Sequence, residues 1–330
     1  MVQSTTVPFN DDFEPTPAAA RARLATVRPA AYARTRNVLD GAVTRLSPYL
    51  THGLLSLPEV LHSVDARHRL PVQHKFVYEL GWRAYFRHVW AARGNAILQS
   101  LHPGPLPDAA YTCELPADLR EARSGVPAID QAVRQLYATG WLHNHARMWL
   151  ASYTVHLRKV HWRAGADWMV GHLLDGDLAS NHLSWQWVAG TASHKPYLFN
   201  ADNVARYAPP PWHSRGTVID TDYDALARIA ATPREVGALH PAATGLGALA
   251  GVGEPALFGS PPDSLGFVRP DPSRVANRPV WLAHPWSLAD PPAGLPPDTV
   301  VVAVAEAGWH RAWPWSAQRW AFVGQRMAAL

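Results

Sequence analysis

Apolar positions recur at spacings of three and four through most of the first two thirds of the chain. PAAARARLATV, LSLPEVLHSV, KFVYELGWRAYFRHVWAA and AIDQAVRQLYATGW each fit an amphipathic helix. Ser56, two residues ahead of Pro58, predicts a helix start, because serine caps free N–H groups and proline fits the first turn. Alternating β-branched runs are few, so residues 16–231 read as a mainly α domain. Periodicity is lost over 232–279, which is rich in Gly, Ala and Pro and reads as a linker or a wrapping segment. Beyond it, PVWLAHPW and TVVVAVAEAGW read as two buried strands and WSAQRWAFVGQRMAAL as an amphipathic helix. Residues 280–330 are thus expected to form a small α/β appendage, and residues 1–15 a tail.

Composition narrows the class. A hydrophobic fraction of 48% over 330 residues supports a sizeable core and argues against global disorder. No apolar run of about 18 residues occurs, and the N-terminus is acidic and lacks an apolar signal segment. The expectation is a cytoplasmic protein with no membrane partner. Cys113 is the sole cysteine, which excludes an intramolecular disulfide and any multi-cysteine metal site. The net charge of +4 suits a weak polyanion partner. Lys75, Lys159 and Lys195 are the only lysines, so arginine carries nearly all positive charge. Arginine pairs bidentately with phosphate, although a GC-rich genome produces the same excess.

Four segments carry candidate chemistry. In residues 32–56 the hydroxyls of Tyr32, Thr44 and Ser47 lie near arginines among turn signals, which suits a diphosphate or plain helix capping. In residues 78–88 Glu79, Trp82, Arg83 and Phe86 share a helical face, either as a site or as an ordinary ion pair beside aromatics. In residues 139–153 Trp141, Asn144, Arg147 and Met148 form one stripe, which suits a planar heterocycle or a core with one satisfied polar pair. His143 and His145 are two residues apart, on different helix faces, so no metal is expected. In residues 173–187 Asp175 and Asp177 flank Gly176 and Asn181 follows, but the run lacks the remaining ligands of a calcium loop. Asp175 can pair with Arg147, leaving Asp177 and Asn181 for a ligand bearing N–H and hydroxyl groups.

Together, TRLSPYLTHGLLS, GWRAYFRH, GWLHNHARM and DGDLASNHLSWQW resemble, in order and sequence, the FAD site of the DNA photolyase and cryptochrome family. The resemblance covers residues 28–213 and implies the family's helical FAD-binding domain. It implies that Tyr32, Thr44, Leu46 and Ser47 touch the pyrophosphate or ribityl chain, and that Arg83, Trp141, Asn144 and Arg147 line the flavin. Arg147 would pair with Asp175, Asp177 would meet the ring edge or ribityl hydroxyls, and Asn181 would face N5. It further implies a dimer pocket of Glu79, Asn144, Met148, Trp82 and Trp187, and an inner electron relay of Trp185 and Trp162, with Tyr111 a candidate outer member.

The resemblance also has gaps. Val43 stands where a second hydroxyl is usual, Ala84 replaces a glutamate, and His145 replaces an arginine near the DNA backbone. The family's α/β antenna domain does not precede Tyr32, so no antenna chromophore is expected. VWLAHPWSLADPP and WSAQRWAFVGQRMAAL resemble the first strand and helix of that domain, and read equally as an unrelated βα unit. The expected function is a deoxyribodipyrimidine photo-lyase splitting cyclobutane dimers in UV-damaged DNA, with a bias toward single strands. The alternative is a non-repairing cryptochrome-like blue-light sensor or redox flavoprotein.

Overall fold

The structure, a computed structural model, describes residues 13–233, 250–269 and 271–330. Residues 1–12 of the expected tail (1–15), and residues 234–249 and 270 of the expected linker (232–279), lie outside these residues. Among the described residues twelve α-helices precede the C-terminal segment: α1 Pro17–Ala25, α2 Pro29–Thr35, α3 Ser47–Thr51, α4 Leu57–His68, α5 Lys75–Arg93, α6 Ala117–Arg120, α7 Pro127–Thr139, α8 Asn144–Ser152, α9 Trp162–His172, α10 Leu178–Ala189, α11 Ala201–Tyr207 and α12 Tyr223–Ala231. A π-turn, Tyr153–Leu157, continues α8. The segment after them contains β1 Leu257–Phe258, β2 Val280–Ala283, β3 Val300–Ala303, α13 Ala307–Ala312, β4 Trp315–Ser316 and α14 Ala317–Ala328.

Local chemistry sets the helix starts. Thr16 accepts from Ala19 N at the head of α1, with Pro17 in the first turn. Ser56 and Glu59 form a reciprocal capping box on α4. Asp177 caps α10 by accepting from Ser180 N at 2.8 Å, and so orients the helix that carries Asn181 and Trp185. Gly140 and Gly190 close α7 and α10 in the left-handed conformation that glycine adopts without a Cβ clash.

Two hydrophobic cores result. One gathers α7–α10 around Trp149, Leu136 and Ile129. The other joins both ends of the described chain: Phe13, Tyr49, Trp141 and Leu174 pack with Trp315, Trp320, Phe322 and Val323. Phe13 is buried on Tyr49 and Trp141, which corrects the expectation that residue 13 belongs to a tail. The C-terminal residues share this core with the helices, so the change of pattern near residue 280 marks no separate core. His52 lies between the carbonyls of Leu174 (2.8 Å) and Pro285 (2.5 Å), and Leu288 N donates to His52 O.

β2 and β3 pair in parallel, Val280 opposite Val300. Parallel strands need a crossover; here residues 284–299 cross without an α-helix and lay Leu288 into the second core. Among the described residues no layer covers one face of this pair. Val280 and Leu282 are 42% and 57% exposed, which corrects the expectation of two buried strands. β1 pairs antiparallel with β4, while Val252 N donates to Glu121 O, so residues 250–258 wrap the helices. No helix among the described residues is long and apolar enough to cross a membrane.

Candidate functional site

Four helices converge on one cavity. Its walls include Arg83 from α5, Asn144, Arg147 and Met148 from α8, Met169 from α9, and Asn181, Ser184 and Trp185 from α10, with Asp175 and Asp177 from the turn before α10. The Arg147 guanidinium donates to both Asp175 oxygens at 2.9 and 2.7 Å. Burial raises the Asp175 carboxyl, but Arg147, Ser47 and Arg83 outweigh it and hold the group below the usual carboxylate range. Asp177 is likewise held down: burial opposes, and Arg83, Arg87 and Ser180 prevail.

The network continues outward. Arg83 Nη2 donates to Thr51 Oγ1 at 2.7 Å, and Thr51 Oγ1 donates to the Asp175 carbonyl. Trp141 Nε1 donates to Ser47 Oγ. The segment 44–51 is thus tied to Asp175 through Ser47 and Thr51. Asn181 Nδ2 donates to Ala166 O at 2.9 Å, which fixes its carboxamide in the cavity wall. Asn144 Nδ2 reaches Met148 Sδ at 3.3 Å.

Eight of the residues expected at the site meet in this cavity: Arg83, Asn144, Arg147, Met148, Asp175, Asp177, Asn181 and Trp185. Ser47 and Trp141 join through hydrogen bonds. Tyr32 instead packs edge-on to Phe76, Leu46 is buried in the second core, and Thr44 lines a separate surface pocket with Arg28 and Arg67. Glu79 pairs with Arg36 (3.3 Å) and Lys75 (3.5 Å) and lines neither this cavity nor the neighbouring cleft. Trp82 and Trp187 line that cleft, about 540 Å³ in volume, with Tyr78, Tyr85, Phe86 and Leu183. Both indoles are more than two fifths exposed, which suits stacking of planar bases.

Trp185 lies against α9 where that helix has Gly165: a Cβ there would sit 2.3 Å from the indole ring. Trp162 opens the same helix and donates to Ser100 Oγ. His145 departs from its expected place beside DNA. It is buried against Trp149 and Tyr207, and burial followed by Arg36 lowers its pKa to about 4. Among the described residues no group of three or more His, Cys, Asp or Glu could hold a metal.

Sequence reasoning missed Thr51, Arg87, Ser180 and Ser184. Arg87 could have been found, being one turn beyond Arg83 and bonded to Asp177 at 3.1 Å. Ser180 and Ser184 flank Asn181 on the stripe that begins at Asp177. Nothing in the sequence marks Thr51.

A cavity lined by buried, charge-balanced polar groups, a thioether and an indole defines a helical domain built for a large polar heterocycle. One of its buried atoms, Arg83 Nε, has no partner among the described residues, and a bound cofactor with an acceptor group would satisfy it. Residues 76–211 match the family described as the FAD binding domain of DNA photolyase. The chain is 38% identical to the deoxyribodipyrimidine photo-lyase of Streptomyces griseus, over 46% of this chain and 33% of that one. It is 33% identical to the rice cryptochrome DASH, over 49% of this chain and 29% of that one. A Synechocystis cryptochrome structure superposes with a TM-score of 0.51 at 27% identity, covering 58% of this chain and 43% of that one. Residues 76–211 therefore form an FAD-binding domain like that of DNA photolyase, and the cofactor of this domain is FAD. The chain spans about a third of the length of these curated relatives.

Proposed function

We propose that this protein is a blue-light-driven flavoprotein that splits cyclobutane pyrimidine dimers. The observation that carries this reading is the aromatic cleft of Trp82 and Trp187 beside the cavity lined by Asn144 and Met148. Reduced FAD bound in this cavity would supply the light-driven electron transfer that opens a dimer and takes the electron back. The chain's own residues do the rest. Trp82 and Trp187 stack against a dimer flipped out of the strand. The Asn144–Met148 contact fixes an amide and a thioether in the cavity wall. For Glu79 to reach a pyrimidine carbonyl, it must exchange its pair with Arg36 or Lys75. Trp185 and then Trp162 pass electrons inward when oxidised flavin is photoreduced.

Arg83, Arg147, Asp177 and Asn181 line the cavity that would hold the flavin, with the Asp177 carboxylate and the Asn181 carboxamide on its polar edge. The substrate reading follows relatives named deoxyribodipyrimidine photo-lyase. Single strands are the better substrate, because no duplex must be unstacked. The test is illumination of fully reduced protein with a short single-stranded oligonucleotide carrying one thymine dimer, followed by chromatography. Restored thymines support the reading; an intact dimer at saturating protein overturns it.

A second reading, a non-repairing blue-light sensor, draws support from Glu79, whose carboxylate is engaged by two cations away from the cleft. It predicts photoreduction without dimer cleavage.

A further inference from the structure

We propose that the C-terminal segment supplies the outer end of the electron relay, with Trp313 and then Trp309 carrying the oxidising hole from Trp162 to solvent. The inference rests on the photoreduction reading above and extends it to residues outside the family match. Trp162 is only 2% exposed. A hole left there after inward electron transfer cannot be filled directly by a donor in solution, so an outer ring has to take it.

Two ring paths leave Trp162. One runs through His161, at 5.6 Å between centroids, to Tyr111 at 6.2 Å. The other runs through His182, edge-on at 6.3 Å, to Trp313, edge-on to the same imidazole at 5.4 Å. His182 is held on both sides, by the Leu178 carbonyl at 3.1 Å and by Asp167 Oδ1 at 2.8 Å, so the ring between the two indoles is fixed. Trp309 follows at 6.3 Å, and it touches Trp286 at 5.3 Å and Trp90 at 6.2 Å. Trp313 and Trp309 are both partly exposed.

Electrostatics gives this path a direction. Arg163 stacks over Trp313 at 5.3 Å, which disfavours a positive hole there, although Asp167 at 2.6 Å offsets part of its charge. The carboxylate of Glu306 accepts from the backbone N–H groups of Gly308 and Trp309 and favours a hole one step further out. The tyrosine path is poorer. Oxidising a phenol at neutral pH requires loss of its proton, and burial with Asp108 raises the Tyr111 pKa.

The electron count closes as follows. One electron moves inward from Trp309 through Trp313, Trp162 and Trp185 to photoexcited oxidised flavin. The Trp309 radical cation then takes one electron from an external thiol, which releases its own proton to water and leaves as a thiyl radical.

The experiment illuminates the flavin-loaded wild type under limiting thiol and maps oxidised tryptophan by peptide mass spectrometry, with flavin-free protein as the control. Oxidation concentrated at Trp309 and Trp313 and dependent on flavin is expected, and this readout needs no substitution. Oxidation spread alike in both samples overturns the proposal. In parallel, photoreduction is timed in Trp313→Phe, Trp309→Phe, Tyr111→Phe and Trp185→Phe, each checked for wild-type flavin content. A several-fold loss in Trp313→Phe is expected. Loss in Tyr111→Phe with Trp313→Phe unaltered overturns the tryptophan branch alone. An unaltered Trp185→Phe overturns the photoreduction reading and the branch with it.

Discussion

The Arg319 guanidinium donates from Nη2 to the Gly176 carbonyl at 2.8 Å. A buried cation from α14 thus stands under the turn that presents Asp175 and Asp177. Nη1 reaches the Val170 carbonyl at 3.2 Å, and the guanidinium carbon lies 3.8 Å from the centre of the Trp315 ring. Burial pushes the Arg319 pKa down to about 9, with both aspartates opposing the fall. A Cβ at position 176 would meet Arg319 Nη1 at 2.4 Å, so the turn needs glycine. Arg319→Met should leave two carbonyls without a donor and lower stability by about 3 kcal/mol. Thermal unfolding and the ratio of flavin to protein absorbance should both fall.

Gly165→Ala places a methyl 2.3–2.4 Å from the Trp185 ring. Overpacking of this kind costs about 1–3 kcal/mol, and the indole must move away from α9. The expected outcome is a bound but more slowly photoreduced flavin, read from the 450 nm band (about that wavelength for an oxidised flavin) under blue light with an external donor. Wild-type photoreduction kinetics would show that the contact does not set the rate.

Asp175→Asn should be more damaging than Asp177→Ala to the fold, and Asp177→Ala to cofactor retention. Asp175 is the acceptor for the half-buried Arg147, and removing one partner of a buried pair costs about 3–5 kcal/mol. Asp177 caps α10 and answers Arg87, so its loss frees the cavity rim. Melting temperature and flavin stoichiometry after gel filtration separate the two.

Acid should release the flavin well before the carboxylates titrate. His52 and His143 have pKa values of about 3, and His156 about 4, chiefly through desolvation. These folded-state values lie below the unfolded value near 6.5, so the unfolded chain binds the extra protons. Stability is therefore flat above about pH 7 and falls as pH drops below 6.5, by about 2 kcal/mol per histidine at pH 5. The lowered pKa values of Asp175 and Asp177 add a further loss below about pH 4. A pH series of urea melts should show this slope; stability unchanged between pH 7 and 5 would contradict it.

His145→Arg should weaken the protein. The side chain is enclosed by Trp149, Tyr207 and Arg36, so a guanidinium there would be buried beside another cation. A drop in melting temperature with no gain in affinity for single-stranded DNA is expected.

The helical half and most of the cavity were legible because their signals are local. Asp177, Asn181 and Trp185 recur at helical spacing, and Arg147 with Asp175 is a charge pair whose partners are both rare in an apolar context. The misread positions depend on distant partners. His145 is defined by Arg36 and Tyr207, and Phe13 by Tyr49 and Trp141, each far along the chain. β2 and β3 have the composition of buried strands, but nothing in their own sequence shows that no layer covers them. Arg319 was invisible as a site residue because its only signature is two backbone carbonyls about 140 residues earlier.

The placement of Trp320 and Phe322 beneath Tyr49 and His52 also sets an order of events in the cell. The helices bearing Arg83, Arg147 and Asp177 leave the ribosome first, yet the floor that steadies them is the last part described to be made. Stable flavin retention is therefore expected only once α14 has packed into the second core. A protease nick in the exposed stretch around 290–299 would bleach the protein while leaving every flavin-facing helix intact.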